Sequence, residues 1–283
     1  MDYHEEVILF VDRMSIAALA AEYEKADDAY RAGVPYMTDM QFDQLEDRLR
    51  KLDPDHPLLV GDGVVMLGLR KNRPESFREW YMQLPGSPVM VVQPKIDGIA
   101  LALRYVDGKL TEALTKQNRC VLSWIKTVAA VPKQLKRKTK GTVEVHGEIW
   151  GVPKDSQDSR TPQSIAAVSA KFNEERGARS LFSAYKLVGS VTDESHAMED
   201  LRRYGFDVPD TYVCTKPAEV CKLYDQWLEG HVDARQPFNN KLFKGWPTDG
   251  VVAKVFDQKL QRKLGADKEC PNWALALKAN GIR

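Results

Sequence analysis

Two periodicities divide the chain. After Ser15, apolar residues recur at helical spacing: Ile16, Leu19, Ala20, Tyr23, Ala26 and Tyr30 share one stripe, with Ser15 placed as its N-cap. Gly33 and Pro35 end that stripe. Thr38-Asp39-Met40-Gln41 has the spacing of a capping box, and Phe42, Leu45, Leu49 and Leu52 continue a second stripe as far as Asp53-Pro54. The pattern predicts a helical hairpin. Residues 60–85 show no clear period and read as a connector. From about residue 86 the period shortens to two. Ala100–Tyr105 and Leu110–Thr115 flank Asp107-Gly108, a strong β-hairpin signal. Thr142–Trp150 alternates, with Val143, Val145 and Gly147 on one face and Glu144, His146 and Glu148 on the other. Gly250–Phe256 and Trp273–Lys278 read as further strands, and 162–176 and 215–229 as helices. The expected fold class is α+β: antiparallel sheets with flanking helices behind a small helical module. The expected division is 1–60, 61–85 and 86–283.

Charge changes little in this picture. The 41 basic residues face 40 acids, a net charge of +1, so contact with nucleic acid has to come from a local patch. One run, Lys133, Lys136, Arg137, Lys138 and Lys140, reads equally as a contact to a DNA backbone or as a solvated loop. No apolar run nears the ~20 residues of a membrane span. The acidic start, with Asp2, Glu5 and Glu6, lacks the basic flank of a secretory signal. The expectation is a cytoplasmic protein with no membrane partner. Cys120, Cys214, Cys221 and Cys270 include no C-x-x-C pair, which argues against a zinc ribbon or a disulfide scaffold. The phosphate loop, the G-x-G-x-x-G fingerprint and the G-x-S-x-G elbow are all missing, so a bound nucleotide is not held by a glycine-rich helix start.

The chemistry-bearing segment is Lys95-Ile96-Asp97-Gly98, between Met90-Val91-Val92 and Ala100-Leu101-Ala102-Leu103. A strand-end lysine, with an acid two residues on and a glycine for a tight turn, is a candidate nucleophile; an exposed β-turn has the same letters. Three more segments bear on the choice. Asp249-Gly250-Val251-Val252-Ala253-Lys254 is a second acid-glycine turn leading into a strand. His146-Gly147-Glu148 places an acid on the polar face of another, and Trp273–Leu277 ends in Lys278. In this order and spacing the four resemble the nucleotidyltransferase motifs of polynucleotide ligases and capping enzymes. Tyr30, Pro35, Asp39, Phe42, Asp43 and Leu45, followed by Leu52, His56 and Pro57, resemble the helical segment of the NAD-dependent DNA ligases. The resemblance runs from about Tyr23 to Lys278.

That resemblance implies an NMN-binding helical module followed by an adenylation (nucleotidyltransferase) domain. It implies that Lys95 attacks the AMP phosphorus of NAD and releases NMN, after which AMP passes to the 5′-phosphate of nicked double-stranded DNA. By position, Gln93 stands beside adenine, Lys116 near ribose or phosphate, Glu148 on the ribose and Tyr185 against adenine. Asp97 and Asp249 belong to the two acid-glycine motifs, while Lys254 and Lys278 match phosphate-facing lysines. Tyr30, Asp39, Phe42 and Asp43 match NMN-binding positions, and Mg2+ is the implied metal. Nick sealing implies an OB-fold domain, so the reading is either the adenylation fragment of such a ligase or a minimal ligase with that domain on a separate chain. An ATP-using ligase or capping-type enzyme, and an inactive nucleotide- or nucleic-acid-binding module, share these motifs. Lys116, His146, Gln163, Lys171 and Lys241 stand where the family has arginine, Arg31 replaces a histidine and Phe42 a tyrosine.

Two arguments from the residues run alongside the resemblance. A free lysine has a pKa of about 10.4, so only about one in a thousand is a neutral amine near pH 7.5. Cations close to Lys95 disfavour its ammonium form, so Lys254 and Lys278 are expected to gather round it. On the second helix Asp39, Phe42 and Asp43 share a face at i, i+3 and i+4. Such a face suits a ribose and a cationic ring, although acids there also complement the helix dipole. Pro94 removes a ladder donor just before Lys95, so that strand is expected to be an edge at this point.

Overall fold

The computed structural model describes residues 14–31, 36–53, 56, 66–72, 74–152, 161–166, 179–189, 192–230, 240–267 and 270–278. Helices α1 (Ile16–Arg31) and α2 (Asp39–Leu52) come first. Ser15 Oγ accepts from the Ala18 amide at 3.3 Å. Thr38 and Gln41 form the capping box in both directions: Gln41 N donates to Thr38 Oγ1 at 3.3 Å, and Thr38 N to Gln41 Oε1 at 2.8 Å. Leu19, Leu45 and Leu49 make the core between the two stripes. The hairpin read from periodicity is therefore present, while Gly33, Pro35, Pro54 and Pro57 lie outside the described residues.

The body follows as β1 (Arg70–Asn72), α3 (Pro74–Met82), β2 (Met90–Ile96), β3 (Ile99–Val106), β4 (Lys109–Thr115), α4 (Leu122–Thr127), β5 (Thr142–Val152) and β6 (Arg179–Leu187). Then come α5 (Glu194–Tyr204), β7 (Tyr212–Cys214), α6 (Pro217–Gly230), β8 (Thr248–Val255), α7 (Gln258–Leu264) and β9 (Ala274–Leu277). One sheet has the order β1-β9-β8-β2-β7 and the other β4-β3-β5-β6. All pairs are antiparallel except β1 with β9, so the α+β class holds. Asp107 and Gly108 join β3 to β4 with φ of 49° and 81°, the positive values a tight hairpin demands.

Each sheet packs one face against helices. Met90, Val92, Val251, Ala253 and Leu275 pack against α3 and α6 through Phe77, Tyr81, Val220 and Trp227. Leu101, Leu103, Tyr105, Val145 and Ile149 pack against α4 and α5 through Trp124, Ile125, Met198 and Leu201. Part of the stretch read as a connector is thus built into the body. Phe77, Trp80, Tyr81 and Leu84 follow helical spacing, but α3 is short and its flanks are polar, which hid the stripe. The helix read over 162–176 is observed across 162–166, and 167–178 lie outside the described residues. In β5 the face of Glu144, His146 and Glu148 is not a solvent face: His146 is buried and Glu144 and Glu148 are half-buried.

Candidate active site

Strand β2 pairs with β8 along most of its length but with β7 only over Met90–Val92. Pro94 therefore lies where the strand has one neighbour, opposite Val251, as its missing donor requires. The register shifts between Pro94 and Ile96, and the next amide, Asp97 N, donates to Pro247 O at 2.9 Å. Lys95 is thus held at a bulged strand end rather than on a free turn.

The glycines after the two acids are forced by close backbone approach. A Cβ on Gly98 would stand 2.5 Å from the carbonyl oxygen of Ile149, and one on Gly250 would stand 2.5 Å from that of Leu277. Gly250 lets β8 lie against the end of β9, which brings Asp249 to Lys278. Lys95 Nζ donates to Asp249 Oδ1 at 2.9 Å, and Lys278 Nζ donates to Oδ2 of the same carboxylate at 2.6 Å. One acid therefore bridges two ammonium groups. Burial, then Asp249, raise the Asp97 carboxyl above its ordinary range, with Lys95 and Lys278 opposing.

A cleft of about 1090 Å³ opens from this point, lined from both sheets. Of the expected residues, Gln93, Lys95, Lys116, Glu148, Tyr185 and Lys254 line it. Glu148 Oε2 is sealed from water and has no hydrogen-bond partner among the described residues. Burial pushes this carboxyl up to about 8; Lys95 opposes the rise, and Asp249 and Asp97 add to it. Burial and the nearby Glu148 raise the Tyr185 phenol. Gln93 is buried, its amide donating to Thr211 Oγ1 at 2.8 Å and to Met198 Sδ at 3.4 Å. Lys116 is exposed.

The expected gathering of three lysines does not occur. Lys254 stands opposite Val91, four residues along β2 from Lys95, a separation of about 13 Å at ~3.3 Å per residue. Its ammonium donates to Glu194 Oε2 at 2.8 Å and to the Tyr185 carbonyl at 3.2 Å. Glu194 Oε1 accepts in turn from Gln261 Nε2 at 2.8 Å. Glu194, Gln261 and Lys186 were not singled out in the sequence, yet all three line the cleft. Lys186 Nζ lies 5.5 Å from the centre of the Trp273 ring, and burial followed by the Lys254 charge lowers its pKa. Asp193 caps α5 by accepting from the His196 amide, and an acid beside such a cap carries no local mark of a buried cation partner.

Tyr30, Asp39 and Asp43 lie on α1 and α2, and their side chains are outside the described set. Phe42 is packed within the hairpin, its ring 4.9 Å from that of Tyr23, and is not part of the cleft lining. The basic run is partly used internally: Lys133 Nζ donates to the carbonyls of Ile125, Val128 and Val131, and Arg137 pairs with Asp200 at 3.1 Å. No group of three His, Cys, Asp or Glu placed to hold a metal occurs among the described residues. Among those residues no helix is long and apolar enough to cross a membrane.

A lysine at a strand end and an acid-glycine turn thus lie together at one end of a cleft lined from both sheets. The family model for the NAD-dependent DNA ligase adenylation domain matches residues 73–180 and 166–281, and the chain belongs to that family. A DNA ligase of Pelodictyon phaeoclathratiforme is 30% identical over 93% of this chain and 46% of its own length. One of Corynebacterium aurimucosum is 28% identical over 92% of this chain and 44% of its own. The chain spans about half the length of the curated relatives it matches. A solved structure from a study of Lig E DNA ligases aligns with a TM-score of 0.45 and 17% identity, over 76% of this chain and 69% of that one.

Proposed function

We propose that the chain carries out the adenylation step of an NAD-dependent DNA ligase, with Lys95 as the nucleophile. The observation that carries this reading is the Lys95–Asp249–Lys278 bridge at one end of a nucleotide-sized cleft. The Lys95 nitrogen attacks the AMP phosphorus of NAD, the N–P bond forms, and the bond to the bridging oxygen breaks so that NMN leaves with its phosphate. The ammonium sheds one proton before attack and a second as the phosphoramidate forms. Asp249 is the carboxylate within hydrogen-bond reach of that nitrogen. Lys278 faces the same carboxylate and supplies positive charge for the phosphoryl oxygens as they gain charge in the transition state. Glu148 serves the ribose and Tyr185 the face of the base, with Gln93 and Lys254 beyond them and Lys116 at the ribose or phosphate. Asp97 accompanies the nucleophile.

Mg2+ typically takes one or two carboxylates together with substrate phosphates and keeps several waters. Asp249 is occupied by two ammonium groups and Glu148 is given to the ribose, so Asp97 is the carboxylate that fits, and the ion would neutralise phosphate charge. Tyr30, Asp39, Phe42 and Asp43 take the NMN half. Transfer of AMP to a nick in double-stranded DNA, with an OB-fold domain to clamp the duplex, completes the reading, as does a cytoplasmic location.

The test is label transfer. With adenine-labelled NAD, label stays on the protein and is lost in Lys95→Ala. Label taken from ATP alone points to an ATP-using enzyme. Binding of NAD without label from either nucleotide overturns the enzymatic reading.

A further inference from the structure

The basic run from Lys133 to Lys140 takes no part in the cleft, yet its backbone is pinned at several points. Leu135 N donates to Gly108 O at 2.8 Å, and Leu135 itself is buried in the core of the second sheet. Gly141 N donates to Asp107 Oδ1 at 2.9 Å, while its carbonyl accepts from Asp107 N at 3.0 Å. Both ends of the segment 136–140 therefore return to the turn between β3 and β4. Gly141 closes that return with a φ of 73°, a value that favours glycine. Lys136 N donates to Tyr204 O at 3.0 Å, which ties the same loop to the end of α5.

The side chains divide into two groups. Lys133 commits its ammonium to the carbonyls of Ile125, Val128 and Val131, and Arg137 pairs with Asp200. Lys136, Lys138 and Lys140 are exposed, and among the described residues none of their ammonium groups meets an acid or an acceptor. The acids nearby are already taken: Asp107 by the Gly141 amide, Asp200 by Arg137 and Arg203, and Glu199 by Arg203. A chain with a net charge of only +1 thus presents three uncompensated cations on one ordered loop. Such a loop has little freedom left to lose on binding, and each lysine that meets a phosphate releases counterions. The loop joins β5 at Thr142, six residues along the strand from Glu148 at the Lys95 end of the cleft. That is about 20 Å, the rise of about six base pairs.

We propose that the loop 136–140 is a docking surface for the phosphate backbone of double-stranded DNA, contacted through Lys136, Lys138 and Lys140. The proposal rests on the ligase reading above for its choice of polyanion. A pinned array of point charges suits a stiff, regularly charged polymer; a flexible acidic polypeptide gains less from the pinning.

The experiment measures binding of a labelled nicked duplex by fluorescence anisotropy over a salt series, with lysyl-AMP formation from labelled NAD followed in parallel. One variant combines Lys136→Gln, Lys138→Gln and Lys140→Gln, and a second places Arg at the same three positions. A charge-matched control combines Lys216→Gln, Lys244→Gln and Lys259→Gln, three exposed lysines on segments that flank the first sheet. The expected result for the Gln triple is a roughly tenfold or greater loss of affinity at low salt. Its slope of log K against log salt becomes shallower by about 2–3, since each phosphate contact contributes about 0.9. The Arg triple and the control bind within about twofold of the wild type, because distant charges are screened. Lysyl-AMP formation is unchanged in all of them. A Gln triple that binds as the wild type does overturns the proposal, as does a control that loses as much, or a wild type that binds no duplex at low salt. Displacement of the duplex by polyglutamate at equal charge assigns the surface to an acidic polypeptide and overturns it too. Loop-dependent duplex binding with no label taken from NAD leaves the surface standing and overturns the adenylation reading instead. Should the Gln triple fail to fold, Lys138→Gln and Lys140→Gln singly, each lowering the slope by about 1, decide the matter.

Discussion

The Glu194–Lys254 pair is the sharpest stability test. The two charged side chains are 3% and 7% exposed and meet at 2.8 Å. Glu194→Gln removes one charge with no change of volume and leaves a buried ammonium with neutral acceptors only, the new amide oxygen and the Tyr185 carbonyl. Breaking a buried pair from one side costs about 3–5 kcal/mol, and the retained amide oxygen places this variant at about 3. For a body of this size that corresponds to a fall in Tm of roughly 6–12 °C. Lys254→Met leaves the carboxylate with Gln261 Nε2 alone and should cost a similar amount. The double variant has no orphaned charge, so it should lose clearly less than the sum, with a coupling of at least about 2 kcal/mol. The measurement is urea unfolding of the four proteins at neutral pH without nucleotide. Additive losses, or a loss under about 1 kcal/mol for Glu194→Gln, would refute the argument that this pair is desolvated.

Three further predictions follow from the cleft. Glu148 has its pKa raised to about 8, so between its ordinary value of 4.5 and about 8 the folded state binds more protons than the unfolded one. Stability should therefore fall as pH rises through that window, by up to about 1.4 kcal/mol per unit, and Glu148→Gln should flatten the slope in urea titrations. Glu144 shows the opposite sign: held near 2, it stabilises above its ordinary 4.5, and that contribution is lost as pH falls towards 2. Glu144→Gln should thus lower stability at pH 7 and leave the variant less acid-sensitive, which acid unfolding followed by tryptophan fluorescence will check. Gly250→Ala forces a methyl to within 2.5 Å of the Leu277 carbonyl. We expect a loss of about 1–3 kcal/mol and, because Asp249 is displaced, about a hundredfold slower lysyl-AMP formation; label transfer at the wild-type rate would contradict this.

Legibility in the sequence followed the range of the interactions. The helical hairpin rests on local chemistry, a capping box and two stripes, and both were readable. The Asp107-Gly108 turn was equally local. Lys95, Asp249 and Lys278 were found because acid-glycine turns and strand ends leave local marks, although their shared carboxylate depends on sheet order, which no period encodes. Helices α5 and α7 went unread despite caps at Asp193 and Asp257. Glu194 and His146 could not be assigned from spacing. Each is held by a partner on another part of the chain, Lys254 in one case and Arg104 through Glu144 in the other.

Charge balance around Lys95 explains why a buried, reluctant carboxyl belongs in this place. Lys95, Lys278 and Lys116 face Asp97, Asp249 and Glu148, which would leave no net charge to attract a dinucleotide if all six were ionised. Glu148 is not ionised in full near pH 7, because its pKa stands at about 8. On the adenylation reading, the resting site then keeps a surplus of positive charge for an incoming phosphate. That surplus sits in a partly dehydrated cleft, where a unit charge acts more strongly than in water. Sharing two ammonium groups across Asp249 offsets their mutual repulsion, and on the adenylation reading a phosphate would replace the carboxylate as their partner. A third lysine at the same spot would have had no such partner, and Lys254 is instead committed to Glu194 farther along the cleft.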